Sequence, residues 1–144
     1  MTMAYRLAEQ AVDHDEVPVG AVLVNEDNKC IGTGWNQPIS ANDPTAHAEI
    51  IARREAAEAV CNYRLPGTTL YVTLEPCPMC AGAIVHARVN RVVIGTMDPR
   101  TGAAGSVFDL LNSPYLNHRA DVTHGVLEQQ CSKLLKDFFV EKRS

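Results

Sequence analysis

The sequence predicts one three-layer α/β domain, with helices on both faces of a mixed sheet. Three observations carry that expectation. Strand-like and helix-like stretches follow one another in the order α-β-β-α-β-α-β-β-α. The first two strands are joined by a tight polar turn and so form a hairpin, whereas helices cross between later strands. The length, 144 residues with 46% hydrophobic and 21% charged, suits a single ordinary core, so residues 1–144 are read as one domain.

Each element has its own signal. Met3–Asp13 places Ala, Leu and Val at helical spacing. Val19–Asn25 is a β-branched apolar run, Glu26-Asp27-Asn28 is a turn, and Lys29–Trp35 is the returning strand. A polar, Pro-containing loop covers Asn36–Pro44. Thr45–Val60, rich in Ala, Glu and Arg, is read as a helix whose start signals are Asp43-Pro44-Thr45. Thr68–Leu74 is a strand, and Glu75-Pro76-Cys77-Pro78 opens a short Ala-rich helix to about Ala87. Arg91–Met97 is a strand, and a Gly-rich loop runs from Asp98 to Gly105. A helical turn is expected over Ser106–Leu111. Ala120–Thr123 is a short strand and Val126–Lys142 an amphipathic last helix.

Charge argues at first against nucleic acid. Thirteen Lys and Arg against seventeen Asp and Glu leave −4, and phosphate binders are usually basic. The halves differ, however. Residues 1–72 carry five basic and ten acidic side chains, a net −5, and residues 73–144 carry eight and seven, a net +1. The longest apolar runs, such as Val17–Val24, fall far short of the ~20 residues of a membrane span. MTMAYRLAEQ lacks the basic-then-apolar plan of a secretion signal. With five cysteines and no such signal, a reducing, cytoplasmic setting is expected.

Two of those cysteines form Cys77-Pro78-Met79-Cys80, a C-x-x-C that suits a redox pair or half a structural zinc site. A redox pair belongs after the first strand of a thioredoxin-like unit, whereas here a hairpin and a helix come first. A closed zinc site needs a fourth ligand, and Cys30, Cys61 and Cys131 stand alone. His47, in His47-Ala48-Glu49, is the candidate third ligand. One His and two Cys leave a position for water, the mark of a catalytic rather than a structural zinc. His47 and the cysteine pair fall at helix starts, where unsatisfied N–H groups favour thiolates. Glu49, two residues from His47, lies on another side of a regular helix, which suits proton transfer better than chelation. The competing readings are a surface H-x-E and a non-catalytic zinc module that binds protein or RNA.

His47-Ala48-Glu49 followed by Pro76-Cys77-Pro78-Met79-Cys80 resembles the H-x-E…P-C-x-x-C signature of the zinc deaminases of the cytidine and deoxycytidylate deaminase superfamily. Further stretches resemble the bacterial tRNA-specific adenosine deaminases, in order and over nearly the whole chain. They are Glu16–Ala21, Gly34-Trp35-Asn36, Asp43–Glu49, Leu74–Cys77, Thr101–Ser106, Asn117-His118-Arg119 and Phe138-Phe139. The resemblance implies a cytidine-deaminase-like α/β/α fold with a central mixed five-stranded sheet. It also implies a homodimer that converts the wobble adenosine of a tRNA anticodon, that of an arginine tRNA, to inosine. His47, Cys77 and Cys80 would bind one Zn2+ per subunit. A zinc-bound hydroxide would attack C6 of the flipped-out base, with Glu49 as proton shuttle.

Asn36 matches a residue that hydrogen-bonds the base, Asp98 and Arg100 match positions near the anticodon backbone, and Phe139 matches an aromatic near the RNA. Read as plain structure, Asn36 is a turn residue, Asp98 a cap and Phe139 a core aromatic. The alternative function is that of a guanine or free cytosine or cytidine deaminase of the same superfamily. Against it stand Thr101–Ser106 and Asn117-His118-Arg119.

Overall fold

A computed structural model describes residues 1–143. Four helices and five strands follow in the expected order: α1 Thr2–Asp13, β1 Gly20–Val24, β2 Cys30–Trp35, α2 Ala48–Val60, β3 Thr69–Leu74, α3 Pro78–Ala87, β4 Arg91–Thr96, β5 Asp121–His124 and α4 Glu128–Arg143. The sheet order is β2-β1-β3-β4-β5. β1 runs antiparallel to β2 and β3, whereas β4 runs parallel to β3 and to β5. The mixed five-stranded sheet is therefore as expected. α2 packs on β2 and β1 and beside α3, while α1 packs on β1 and beside α4, which itself packs on β4.

The core explains the apolar runs. Leu70 and Val72 of β3 and Val92 and Ile94 of β4 are buried with Ala48, Ala52 and Ala56 of α2 and Ala81, Ile84 and Val85 of α3. The small α2 residues let that helix lie close to β2. A Cβ on Gly34 would sit 2.4 Å from the Ala48 carbonyl oxygen, so only glycine permits the approach that seats the start of α2.

Three boundaries differ from the sequence reading, two because hydrogen bonds outcompete helix propensity and one because of backbone conformation. Asp43 does not start α2. Its carboxylate accepts from the Thr45 N–H at 2.9 Å and the Thr45 hydroxyl at 2.7 Å, which closes a separate turn. His47 then stays extended at φ −73° and ψ 155°, and α2 begins at Ala48. Ser106–Leu111 forms no helical turn. Ala104 pairs with Asp109 in an antiparallel bridge, and the Ser106 N–H is taken by Glu75 at 3.1 Å. α4 starts at Glu128 because Gly125 and Leu127 hold left-handed conformations, at φ 91° and 56°.

Candidate metal centre and active site

α2 and α3 lie side by side, and the residue capping each start is a candidate ligand: His47 for α2 and Cys77 for α3. Pro78 occupies the first position of α3, where its missing N–H is no loss and its fixed φ suits a helix. Cys80 follows in the first turn and is fully buried. His47 Nδ1 lies 3.5 Å from Cys77 Sγ and 3.4 Å from Cys80 Sγ. All three ligand atoms fall within 4.8 Å of one another.

Those distances fit zinc. Tetrahedral bonds of about 2.3 Å to sulfur and about 2.0–2.1 Å to nitrogen place N and S roughly 3.5 Å apart. Among the described residues no fourth His, Cys, Asp or Glu joins the cluster, so one coordination position is left to water or substrate. The donor set, two sulfurs and an imidazole, is one that zinc favours.

The metal-free site shares its protons unevenly. A hydrogen bond from the Cys80 thiol pulls Cys77 down to about 4, against burial and with help from His47. Cys80, which donates that bond and is itself buried, is pushed up. The Cys77 sulfur in turn raises His47, against the effect of burial. One thiolate thus stands ready, and a metal ion must displace the proton of the other.

Glu49 lies in the first turn of α2 and is 6% exposed. Burial lifts its carboxyl from 4.5 to about 7, and His47, Cys77 and the Cys80 thiol all act on it. A carboxyl poised near neutrality beside a metal position can both accept and return a proton.

Asn36, just past β2, reaches the same place. Its Oδ1 accepts the Ala48 N–H at 2.8 Å. His47 makes no side-chain cap of its own helix, so Asn36 satisfies that orphan donor from twelve residues away. Its NH2 group donates to nothing among the described residues, so it can be offered to a ligand.

The other expected contacts gather elsewhere. Asp98, Arg100 and Phe139 line one groove of about 780 Å³ between the turn after β4 and the side of α4. The lining of that groove includes none of the metal cluster. Phe139 is 43% exposed and meets Phe138 edge to face at 5.4 Å between ring centres, so it is not a core aromatic. Asp98 does cap a turn: its carboxylate accepts the Arg100 N–H at 2.9 Å and the Thr101 hydroxyl at 3.1 Å.

Two buried carboxylates received no role from sequence reasoning. Glu16, 2% exposed, accepts Ser40 N–H at 2.6 Å and Ser40 Oγ at 2.8 Å, anchoring the loop that follows Asn36. Glu75, also 2% exposed, accepts from Asp98, Ala104 and Ser106. For Glu75 the available signal was a glutamate between the apolar end of β3 and Pro76, whereas Glu16, which follows Asp13-His14-Asp15, looks like one more surface acid.

Residues 1–96 match the model of the cytidine and deoxycytidylate deaminase zinc-binding region. A tRNA-specific adenosine deaminase of Haemophilus influenzae is 52% identical over 143 residues, 99% of this chain and 83% of that protein. A solved structure from work on A-to-I editing by tRNA:A34 deaminases at the wobble position of transfer RNA has a TM-score of 0.90 and 45% identity. It covers 94% of this chain and 97% of its own. A guanine deaminase from Nitrosomonas europaea has a TM-score of 0.79 at 23% identity, covering 96% of this chain and 82% of its own, a likeness of fold alone.

Proposed function

Because the chain belongs to the zinc-binding cytidine and deoxycytidylate deaminase family, and within it to the tRNA-specific adenosine deaminases, we propose that it deaminates the wobble adenosine of a tRNA anticodon to inosine by hydrolysis. The carrying observation is the buried Glu49 beside a three-ligand cluster. A structural zinc site would close with a fourth ligand and would gain nothing from a carboxyl held near neutrality by burial.

His47, Cys77 and Cys80 hold the metal. When bound, zinc supplies the Lewis acidity that makes water a nucleophile near neutral pH. Glu49 takes a proton from the attacking water, delivers it to N1 of the adenine, and carries the next to the departing amine, which leaves as ammonia. Asn36, its oxygen committed to α2, turns its NH2 toward a ring nitrogen of the extruded base. Arg100 meets the backbone of the anticodon strand, and Phe139 offers a face for stacking. Asp98 acts by shaping the turn that carries Arg100.

The reading includes a homodimer and an arginine tRNA as substrate, in the cytoplasm. All five cysteines are free thiols, which suits a reducing compartment. No helix among the described residues is long and apolar enough to cross a membrane. The testing assay offers the arginine-tRNA anticodon arm beside free adenosine, guanine and cytidine. Inosine formed in the RNA alone is expected, and turnover of free guanine or cytidine with none of the RNA would overturn the reading. Sedimentation at micromolar concentration tests the dimer.

A further inference from the structure

Glu75 sits two residues ahead of the metal ligand Cys77, yet its carboxylate is spent on a different segment. Oε1 accepts the Asp98 N–H at 2.8 Å and the Ser106 hydroxyl. Oε2 accepts the Ala104 N–H at 2.9 Å and the Ser106 N–H at 3.1 Å. Backbone bonds lie alongside: Glu75 N–H to the Thr96 carbonyl at 2.9 Å, and Ala103 N–H to the Pro76 carbonyl at 2.8 Å. The neighbouring sequence is cut to fit. A Cβ on Gly102 would lie 2.2 Å from the Glu75 carboxyl carbon, so the turn can close over the carboxylate only with glycine there.

Asp98 is held twice, then. Its N–H is fixed by Glu75, and its carboxylate in turn fixes the N–H of Arg100. We propose that Glu75 is a positioning residue that sets the RNA-facing turn 98–101, and with it Arg100, in register with the metal-binding segment. The inference rests on the function proposed above, and it assigns a role to a side chain that touches neither substrate nor metal.

Glu75→Gln separates this role from folding. Three of the four donors are backbone N–H groups, which cannot reverse. Glutamine keeps most bonds by leaving its oxygen at the Oε2 position, for Ala104 and Ser106. Its NH2 then takes the Oε1 position, where the Ser106 hydroxyl can turn to accept but the Asp98 N–H is opposed. One bond, that to Asp98, is lost selectively. The expected result is about a tenfold rise in KM for the anticodon stem-loop, on the scale of one lost buried hydrogen bond to a charged group, with kcat within about twofold and one zinc per chain.

Glu75→Gln should also flatten the salt dependence of RNA binding as Arg100→Ala does, and adding it to Arg100→Ala should change little further. Gly102→Ala, which crowds the same carboxylate from the other side, should reproduce the KM change. A Glu75→Gln enzyme with wild-type KM and salt slope overturns the inference, as does one that loses zinc and kcat while KM stays fixed. A wild-type chain that fails to deaminate the stem-loop at all overturns the proposed function instead.

Discussion

Replacing Glu49 by glutamine should make the protein less active and, in its metal-free form, more stable. The carboxyl is buried, and its pKa rises from 4.5 to about 7 because the anion is desolvated. A folded pKa above the unfolded one means that the native state holds the proton longer. Stability from this group is therefore full below about pH 4.5 and is lost as pH rises through 7. At about 1.4 kcal/mol per pH unit, the loss amounts to roughly 3 kcal/mol by pH 8. Glutamine has no charge to desolvate and should escape it.

The assay is urea unfolding of chelator-treated wild type and Glu49→Gln at pH 5 and pH 8. The comparison reads Glu49 together with its coupling to His47 and Cys77. Wild type should lose about 2–3 kcal/mol relative to the variant between the two pH values, the remainder having gone by pH 5, while deamination by the zinc-loaded variant falls about 10²–10⁴-fold, the usual worth of a general acid–base group. Parallel pH profiles would refute the burial argument, and a fully active variant would remove Glu49 from proton transfer. A side chain that lowers stability and is needed for turnover is the signature of a site shaped for chemistry.

Two further outcomes test the metal centre. Cys80→Ser should abolish stoichiometric zinc in the purified protein, measured by atomic absorption, because a buried hydroxyl replaces one of only two sulfurs in the cluster. Thiol labelling of the zinc-loaded wild type should run in three stages. Exposed Cys30 and Cys61 react at once, Cys77 and Cys80 react when a chelator is added, and Cys131, buried with its thiol pushed up to about 11, reacts only on unfolding.

Much of this was legible in the sequence because the signals are local. β-branched runs point to β1, β3 and β4, and the H-x-E and P-C-x-x-C patterns point to the three residues that the fold gathers into the candidate metal cluster and to Glu49 in the first turn of α2. What sequence missed depends on partners far along the chain. Glu75 meets donors 23 to 31 residues away, and Glu16 meets Ser40 24 residues away, so neither carboxylate shows its task in its own neighbourhood. The same holds for Asn36, read as a turn residue or a base contact. Its acceptor is in fact the cap of α2, and its donor is thereby freed. The start of α2 was misplaced for a related reason. Asp43 has the composition of a helix cap, but its carboxylate is satisfied two residues on, before the helix begins.

The net charge of −4 misled because charge acts over a short range. At 0.1 M salt the screening length is about 10 Å, so most of the acidic first half has little say at a groove built mainly from the turn after β4 and from α4, with Asp15 reaching it through Lys142. That groove is lined by Arg100, Lys136 and Arg143, and by one carboxylate, Asp98, which is already engaged by its own turn. Other lysines nearby are neutralised: Lys133 pairs with Asp137 at 2.6 Å and Lys142 with Asp15 at 2.8 Å. Three cations meeting a single strand give a slope of log affinity against log salt of about −2, at roughly 0.7 per phosphate. Stem-loop binding measured from 50 to 200 mM salt should show that shallow slope, with stacking on the exposed Phe139 ring adding affinity that salt does not screen. A slope of about −5 or steeper would mean that the RNA is held by a basic surface well beyond this groove. The local arrangement of three side chains, rather than the sum over the chain, would then fail as the account of how an acidic protein binds RNA.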